Sequence, residues 1–339
     1  MNIQHNNHFV PQMYLNAWGS DNKIFEYRLL VSNEKVPIWT RKSIERTASQ
    51  DYLYVNIVDG VESDEFEKVF NTKFETPAKI PLMKAICGDR MSSEDWKKLI
   101  NYVTAQYVRT PKFFLQCKQI EESILPDVLK DLAKQLEKMD FPPEPIEQED
   151  ELSSLLPVKF DVLRQDEDGT ATANITVIAG KSSWLLTIRH ILSVDSDVLK
   201  TIQAKKWRVV TSHPDIKWPT CDNPFVIFTI NQRGQYSITD GIGQPTNYFA
   251  FPLSPRKALL CGNKTIPPNL ILTEEESIMI KNLIIHNAYL YVYSDFEDSN
   301  VPLLRPRYID LETYNRIYTE QKNWYDVYKA QEGPFLHRR

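Results

Sequence analysis

Residues 92–111 read SSEDWKKLINYVTAQYVRTP, and this stretch decides how far the N-terminal part of the chain is helical. Ser92 with Asp95 three residues later has the pattern of a capping box, which predicts that a helix begins here. Apolar residues then recur at helical spacing and predict one buried stripe, formed by Trp96, Leu99, Ile100, Val103 and Tyr107. Pro111 either ends this helix or opens the next one in its first turn.

Segments typical of strands lie on both sides of this helix. Aromatic and β-branched residues are concentrated at 23–30, 51–57, 207–211, 225–230, 248–253, 257–261 and 289–293. Further helical patterns cover 63–86, interrupted at Pro77 and Pro81, and then 182–204, 273–286 and 310–329. Because helices and strands are grouped rather than alternating, we predict an α+β fold. We expect a mostly antiparallel or mixed sheet packed with several helices, and not a doubly wound sheet.

One segment divides the chain. Residues 140–157, DFPPEPIEQEDELSSLLP, are rich in proline and acidic residues and contain no basic residue. Prolines remove hydrogen-bond donors and like charges repel, so we predict an exposed acidic, proline-rich loop or linker. It separates an N-terminal part, 1–139, from a C-terminal part, 158–339, and we expect both to belong to one integrated domain.

The composition excludes several classes of protein. The chain has 339 residues, of which 42% are hydrophobic and 25% charged, as in folded soluble proteins. A net charge of −5 gives no overall attraction to nucleic acid or an anionic membrane. Only 10 glycines occur, without a dinucleotide-binding or P-loop motif, and no two of the 4 cysteines form a CxxC pair. Without an apolar span or a secretory signal, we expect a cytoplasmic protein.

The first candidate site lies at the N-terminus, where His5 and His8 are followed by Gln12 and Tyr14. Imidazole titrates near neutral pH, so His8 is a candidate general acid or base, or a ligand. Gln12 would position His8 or the substrate, and Tyr14 would contact the substrate. The alternative is that Tyr14 and its apolar neighbours anchor the chain end while the histidines lie at the surface.

Two further candidate sites lie later in the chain. Gln106 and Arg109 are three residues apart and so share a helix face. Arg109 would hold a phosphate or carboxylate, with Gln106 as a substrate contact, or it would only stabilise the helix end. Asp222 and Asn223 precede a predicted strand. Asp222 would act as a base or metal ligand with Asn223 binding substrate, or both would only form a turn.

Four short motifs occur in a fixed order: HFVPQMYL at 8–15, QYVRTP at 106–111, TCDNP at 220–224 and PLSP at 252–255. Together they resemble the bacterial family known as domain of unknown function 4238, over nearly the whole chain. Family members usually carry Ser where this chain has Cys221, and often two adjacent histidines where it has Asn7 and His8. The resemblance implies no established reaction. It implies that the motif residues act as one unit, and it suggests a setting among mobile and defence genes.

Three hypotheses for function follow. The first is a hydrolase of a phosphodiester or nucleotide, with His8, Gln12, Arg109 and Asp222 as catalytic residues. The metal requirement is open, with a divalent cation as one option. The second is a ligand- or peptide-binding sensor with an aromatic pocket, since the chain has 16 Tyr, 15 Phe and 7 Trp. The third is a structural network of polar residues. The expected partner is a small molecule or nucleotide, and the aromatic last helix offers a surface for a second copy or another protein.

Overall fold

The computed structural model describes residues 3–58, 60–136, 158–165, 171–239, 241–242, 248–262 and 266–336. The fold is α+β, with helices and mostly antiparallel sheets, as the grouping of elements predicted. The predicted loop at 140–157 lies outside the described residues. Within the described part, no helix combines the length and apolarity needed to cross a membrane.

The helices, in chain order, are α1 (Gln12–Leu15), α2 (Glu65–Val69), α3 (Thr76–Cys87), α4 (Ser93–Val108), α5 (Pro111–Leu136), α6 (Lys181–Ile191), α7 (Asp197–Ala204), α8 (Glu274–Asn287), α9 (Asn300–Leu304), α10 (Leu311–Lys322) and α11 (Trp324–Gln331). A π-helix, Phe70–Glu75, joins α2 to α3. The predicted capping box of α4 is present: Ser92 Oγ accepts from the Asp95 amide at 3.1 Å, and the Asp95 carboxylate accepts from the Ser92 amide at 2.9 Å.

The strands are β1 (Asn6–His8), β2 (Lys23–Arg28), β3 (Leu30–Val31), β4 (Trp39–Ser43), β5 (Ser49–Asp51), β6 (Asn56–Val58), β7 (Val61–Ser63), β8 (Val158–Gln165), β9 (Ala171–Val177), β10 (Arg208–Thr211), β11 (Thr220–Cys221), β12 (Val226–Ile230), β13 (Tyr236–Ile238), β14 (Tyr248–Pro252), β15 (Lys257–Cys261), β16 (Tyr291–Ser294) and β17 (Tyr308–Ile309).

Two larger sheets organise the fold. One has the strand order β10-β15-β14-β12-β13, and the other has the order β11-β16-β2-β4. Both are antiparallel, whereas the short pair β17-β3 is parallel. The second sheet pairs strands from the start of the chain with strands near its end, for example Phe25 with Ser294. This pairing places the N-terminal segment against the C-terminal part.

Aromatic side chains fill much of the core. Trp18, Trp184 and Trp218 are at most 1% exposed. One apolar cluster joins the helices of the N-terminal part to β14 and β15, and a second lies among both larger sheets and α8. The aromatic excess of the sequence is therefore used largely for packing, where each ring buries a large apolar area.

Several predicted elements differ from the structure, among them the predicted helix at 182–204, which is the two helices α6 and α7. The predicted strand at 51–57 is broken, because Tyr52 adopts a left-handed backbone with φ of 58° between β5 and β6. The predicted interruptions at Pro77 and Pro81 do not occur. Pro77 lies in the first turn of α3, where its missing donor costs little, and α3 continues through Pro81.

The C-terminal helices dock through one buried carboxylate. Glu332 is 2% exposed, and its two oxygens accept from the amides of Lys181 and Ser182 at 2.7 and 2.9 Å. These are the unpaired amides of the first turn of α6, so the carboxylate caps that helix. Tyr328 of α11 packs over the Lys181 ammonium at 4.4 Å from its ring centre. The predicted last helix at 310–329 is two helices, of which α10 has no buried residue.

Candidate functional site

His8 lies in β1, which pairs with β5 and places its side chain inside the protein. The side chain is 8% exposed, and Nε2 lies 3.0 Å from the carbonyl oxygen of Glu45, to which it donates. Burial lowers the pKa of His8, while the hydrogen bond to Glu45 opposes that shift. The structure therefore holds a neutral imidazole whose Nε2 proton is bound by the protein itself.

Arg109 ends α4 and is 1% exposed. Its guanidinium pairs with the Glu75 carboxylate at 2.6 Å and also donates to the backbone carbonyl of His8. The carbon of the guanidinium lies 4.5 Å from the centre of the Phe70 ring. The hydroxyl of Tyr54 in turn donates to the Arg109 carbonyl at 2.6 Å. Arg109 therefore ties β1, the π-helix and the 52–55 turn to the end of α4.

Gln106 lies one turn before Arg109 and reaches the same segment. Its Nε2 donates to the carbonyl of Phe9 at 2.7 Å, next to the His8 carbonyl that Arg109 binds. The spacing of three residues thus brings both side chains to consecutive carbonyls, in agreement with the predicted shared face. These two contacts hold the N-terminal segment on α4.

The other two residues of the first motif point elsewhere. Gln12 is exposed at the start of α1. Tyr14 is fully buried, and its hydroxyl is 2.7 Å from the hydroxyl of Thr220. Burial raises the pKa of Tyr14 well above its usual range, so the phenol stays neutral. Tyr14 therefore joins the first motif to the third.

Asp222 organises the start of β16. Its carboxylate accepts from the amides of Tyr289, Leu290 and Tyr291 at 2.7, 2.6 and 3.0 Å, and the residue is 3% exposed. Burial raises the pKa of Asp222 to about 6, although the three amides oppose the shift. The carboxylate is thus directed at the 289–291 backbone, a different segment from the one that Arg109 binds.

Asn223 connects the second and third motifs. Its Oδ1 accepts from the hydroxyl of Thr110 at 3.2 Å, and its Nδ2 donates to the carbonyl of Asn287 at 3.3 Å. The Asn287 amide donates back to the carbonyls of Asn223 and Phe225 at 2.6 and 3.0 Å. In the PLSP motif, Ser254 stabilises a turn by accepting from the amide of Lys257 at 3.1 Å.

The structure thus brings the motifs together as a connected network, which we call the motif network: His8, Gln106, Arg109, Tyr14, Asp222 and Asn223 with their partners. Gln12 lies outside it. The hydrogen bonds of these side chains run mainly to backbone groups of other segments. The geometry joins the motifs but directs Arg109 and Asp222 to different places, so their predicted catalytic roles stay predictions.

Sequence reasoning missed one member of this region, Glu67. Burial raises the pKa of Glu67 to about 7, and the nearby charges of Arg109 and Glu75 act on it in opposite directions. Its Oε2 is buried without a hydrogen-bond partner in the described part of the chain. A glutamate within a helical segment gives no local signal of such an environment. Among the described residues, no group of three or more acidic, histidine or cysteine side chains is arranged to hold a metal ion.

A second feature is an open pocket between α4, α7 and β10, which we call the Trp96–Trp207 pocket. Its volume is about 320 Å³, within the usual range for small ligands. Four cations and two indoles are among the residues that line it. The full lining is Ser93, Trp96, Lys97, Ile100, Gln203, Lys205, Lys206, Trp207 and Arg208. No local pattern in the sequence indicates this pocket, since the cations come from segments about 100 residues apart that meet only when α4 packs on α7.

Comparisons with known proteins agree with the motifs. A family model described as Protein of unknown function (DUF4238) matches residues 6–298. Comparison with curated proteins and with solved structures gives no match. The matched range contains all four motifs and the Trp96–Trp207 pocket, and it ends just before α9. Because this range covers most of the chain, the protein belongs to the DUF4238 family of proteins of unknown function.

Proposed function

We propose that this protein binds a small anionic ligand in the Trp96–Trp207 pocket, and that the motif network supports the fold around it. The observation that carries the proposal is the lining: Lys97, Lys205, Lys206 and Arg208 face one concave space. Cations grouped around a pocket attract an anion and hold it by charge-assisted hydrogen bonds. The function is thus that of a binding or sensor protein.

The carboxylates near this pocket are engaged elsewhere. Asp95 pairs with Lys84 at 2.8 Å, and Glu94 lies 3.6 Å from Lys98 on the next turn. Within the described residues, no carboxylate lies within ion-pair distance of Lys97 or Lys206, both of which are exposed. The charges of Lys97 and Lys206 are therefore available to a ligand, whereas Lys205 is half-buried and Arg208 donates to the Trp207 carbonyl at 2.9 Å.

The motif network supports this assignment indirectly. Arg109 already donates to Glu75 and to the His8 carbonyl, and Asp222 accepts three amides. A side chain whose hydrogen-bonding groups are already paired within the protein must lose those hydrogen bonds before it can hold a substrate, and this loss costs free energy. The exposed cations of the pocket carry no such cost.

The test is a titration with pyrophosphate, followed by isothermal calorimetry and by tryptophan fluorescence. We expect binding by the wild type and a loss of affinity of at least about tenfold in Lys206→Glu, because a charge reversal turns attraction into repulsion. Lys322→Glu, an exposed reversal on α10, is the matched control and should bind as the wild type does. Equal affinity in Lys206→Glu and Lys322→Glu would refute the proposal.

A second candidate, hydrolysis of a phosphodiester or nucleotide, is favoured by Glu67. A carboxyl group whose pKa is about 7 can transfer protons at neutral pH, and it lies in the same electrostatic environment as His8 and Arg109. The assay is the release of nitrophenolate from bis(4-nitrophenyl) phosphate, with and without Mg²⁺. Turnover that is lost in Glu67→Gln and kept in Glu65→Gln, an exposed change on the same helix, supports this candidate. Absence of turnover in the wild type contradicts it.

We also infer a cytoplasmic location. The four cysteines are free thiols, three of them buried. Reduced, buried thiols are typical of proteins in reducing compartments. Fractionation of the native cells with thiol labelling tests this inference, and recovery outside the cytoplasm contradicts it.

A further inference from the structure

A second, smaller space adjoins the Trp96–Trp207 pocket. This space has a volume of about 120 Å³, and both Trp96 and Arg208 line it as well as the larger pocket. It also contacts Asp89, Met91 and Asn269. We call it the Asp89 lobe. Because Trp96 and Arg208 line both spaces, the two spaces lie side by side, and together we call them the groove.

The two parts of the groove differ in chemistry. The Trp96–Trp207 pocket offers Lys97, Lys205 and Lys206, which suit a phosphate. The Asp89 lobe offers the indole of Trp96 and the thioether of Met91, which suit the face of a flat ring. Arg208 and Lys257 also line this lobe, but Arg208 donates to the Trp207 carbonyl at 2.9 Å and Lys257 donates to the Thr211 hydroxyl at 2.7 Å. A ligand that fits the whole groove must therefore combine an anionic end with a planar end.

The polar groups of the Asp89 lobe lie on well-defined turns. Gly88 ends α3 with φ of 80°, a left-handed conformation that favours glycine, and the next amide, of Asp89, donates to the Lys84 carbonyl at 2.9 Å. Asn269 also has a left-handed backbone, with φ of 55°. The Asp89 carboxylate accepts hydrogen bonds, and the Asn269 amide both donates and accepts, so together they suit the edge of a nucleobase.

On this basis, and resting on the anion binding proposed above, we propose that the ligand is a nucleoside phosphate. Its phosphate lies among Lys97, Lys205 and Lys206, and its base lies against Trp96 with its edge directed to Asp89. Guanine fits this arrangement best, because its N1 and N2 present adjacent donors to a single carboxylate. An inorganic anion uses only the cationic part of the groove.

The experiment compares inorganic phosphate, guanosine and guanosine monophosphate by calorimetry on the full chain. We expect the monophosphate to bind at least about tenfold more tightly than either of its parts, because both parts of the groove are then occupied. We expect Asp89→Asn to weaken binding of the monophosphate severalfold without weakening that of phosphate. Asp131→Asn, an exposed change on α5, is the control and should leave both affinities unchanged.

The outcomes separate the two proposals. Binding of phosphate with no gain for the monophosphate, and no effect of Asp89→Asn, overturns the nucleoside assignment and leaves anion binding intact. Absence of binding by phosphate, pyrophosphate and the monophosphate overturns both. Trp96→Phe, which keeps an aromatic face at this position, should retain the preference for the monophosphate. Trp96→Ala removes this face, and a folded Trp96→Ala variant that keeps the full preference for the monophosphate also contradicts the nucleoside assignment.

Discussion

Replacement of Arg109 by methionine tests whether the motif network is structural. The substitution keeps an unbranched side chain but removes the guanidinium from a site that is 1% exposed. Glu75, whose side chain is 19% exposed, loses its partner at 2.6 Å, and the His8 carbonyl loses its donor. A half-buried carboxylate and a backbone carbonyl are then left without these partners.

The expected loss follows from these contacts. Removal of one partner of a buried ion pair costs about 3–5 kcal/mol, because the other charge remains desolvated. An unfolding entropy of about 2.1 cal/mol/K per residue converts this loss into a decrease in Tm of about 4–7 °C for a chain of this length. Arg109→Lys keeps the charge but not the planar fork, so we expect a smaller loss.

The assay is urea denaturation of the two variants, monitored by tryptophan fluorescence. Arg316→Met is the control, because Arg316 pairs with Glu320 on the exposed surface of α10, and such a pair contributes less than about 1 kcal/mol. An Arg109→Met protein as stable as Arg316→Met would refute the structural role. That result would instead favour an arginine kept for a ligand.

Three further predictions concern other buried carboxylates. Asp222→Ala should lower the free energy of unfolding by about 3 kcal/mol in urea denaturation, because the amides at 289–291 lose their acceptor; a loss below about 1 kcal/mol contradicts this. The folded pKa of Glu67, about 7, exceeds its ordinary value of 4.5, so its protonation stabilises the fold below pH 4.5 and that stabilisation is lost as the pH rises through 7. Glu67→Gln should therefore gain stability relative to the wild type between about pH 5 and 8, and a constant difference argues against a shifted Glu67. Glu332→Gln should lower the free energy of unfolding by about 1–3 kcal/mol, because a charged cap of α6 becomes neutral. The exposed Glu312→Gln is the control and should leave the free energy of unfolding unchanged.

Local signals in the sequence were sufficient to predict those elements whose structure depends on residues close together in the chain. Ser92 and Asp95 predicted the start of α4, and Thr273 with Glu276 likewise forms the capping box of α8. A cap requires only two side chains within one turn, so the sequence contains the whole interaction. The grouping of such elements was then enough to predict the α+β class.

The sequence was insufficient to predict contacts that join distant segments of the chain. Arg109 and the carbonyl it binds are 101 residues apart, and only the folded chain shows that the guanidinium holds β1. The π-helix before α3 is a similar case. It places Glu75 opposite Arg109, and the periodicity of residues 63–86 did not indicate it. The Trp96–Trp207 pocket was missed for the same reason.

The motif network also shows how three of the four short motifs are linked through the fold. Gln106 and Arg109 bind consecutive carbonyls of the first motif, and Thr110 bonds to Asn223 of the third. Each buried polar group in such a set needs its partner, so a change in one segment leaves an unpaired group in another. The motifs therefore constrain one another through the fold. Residues that select a ligand need not belong to these motifs. Lys206 and Asp89 lie outside every motif, so we expect substitutions there to change ligand binding without changing stability.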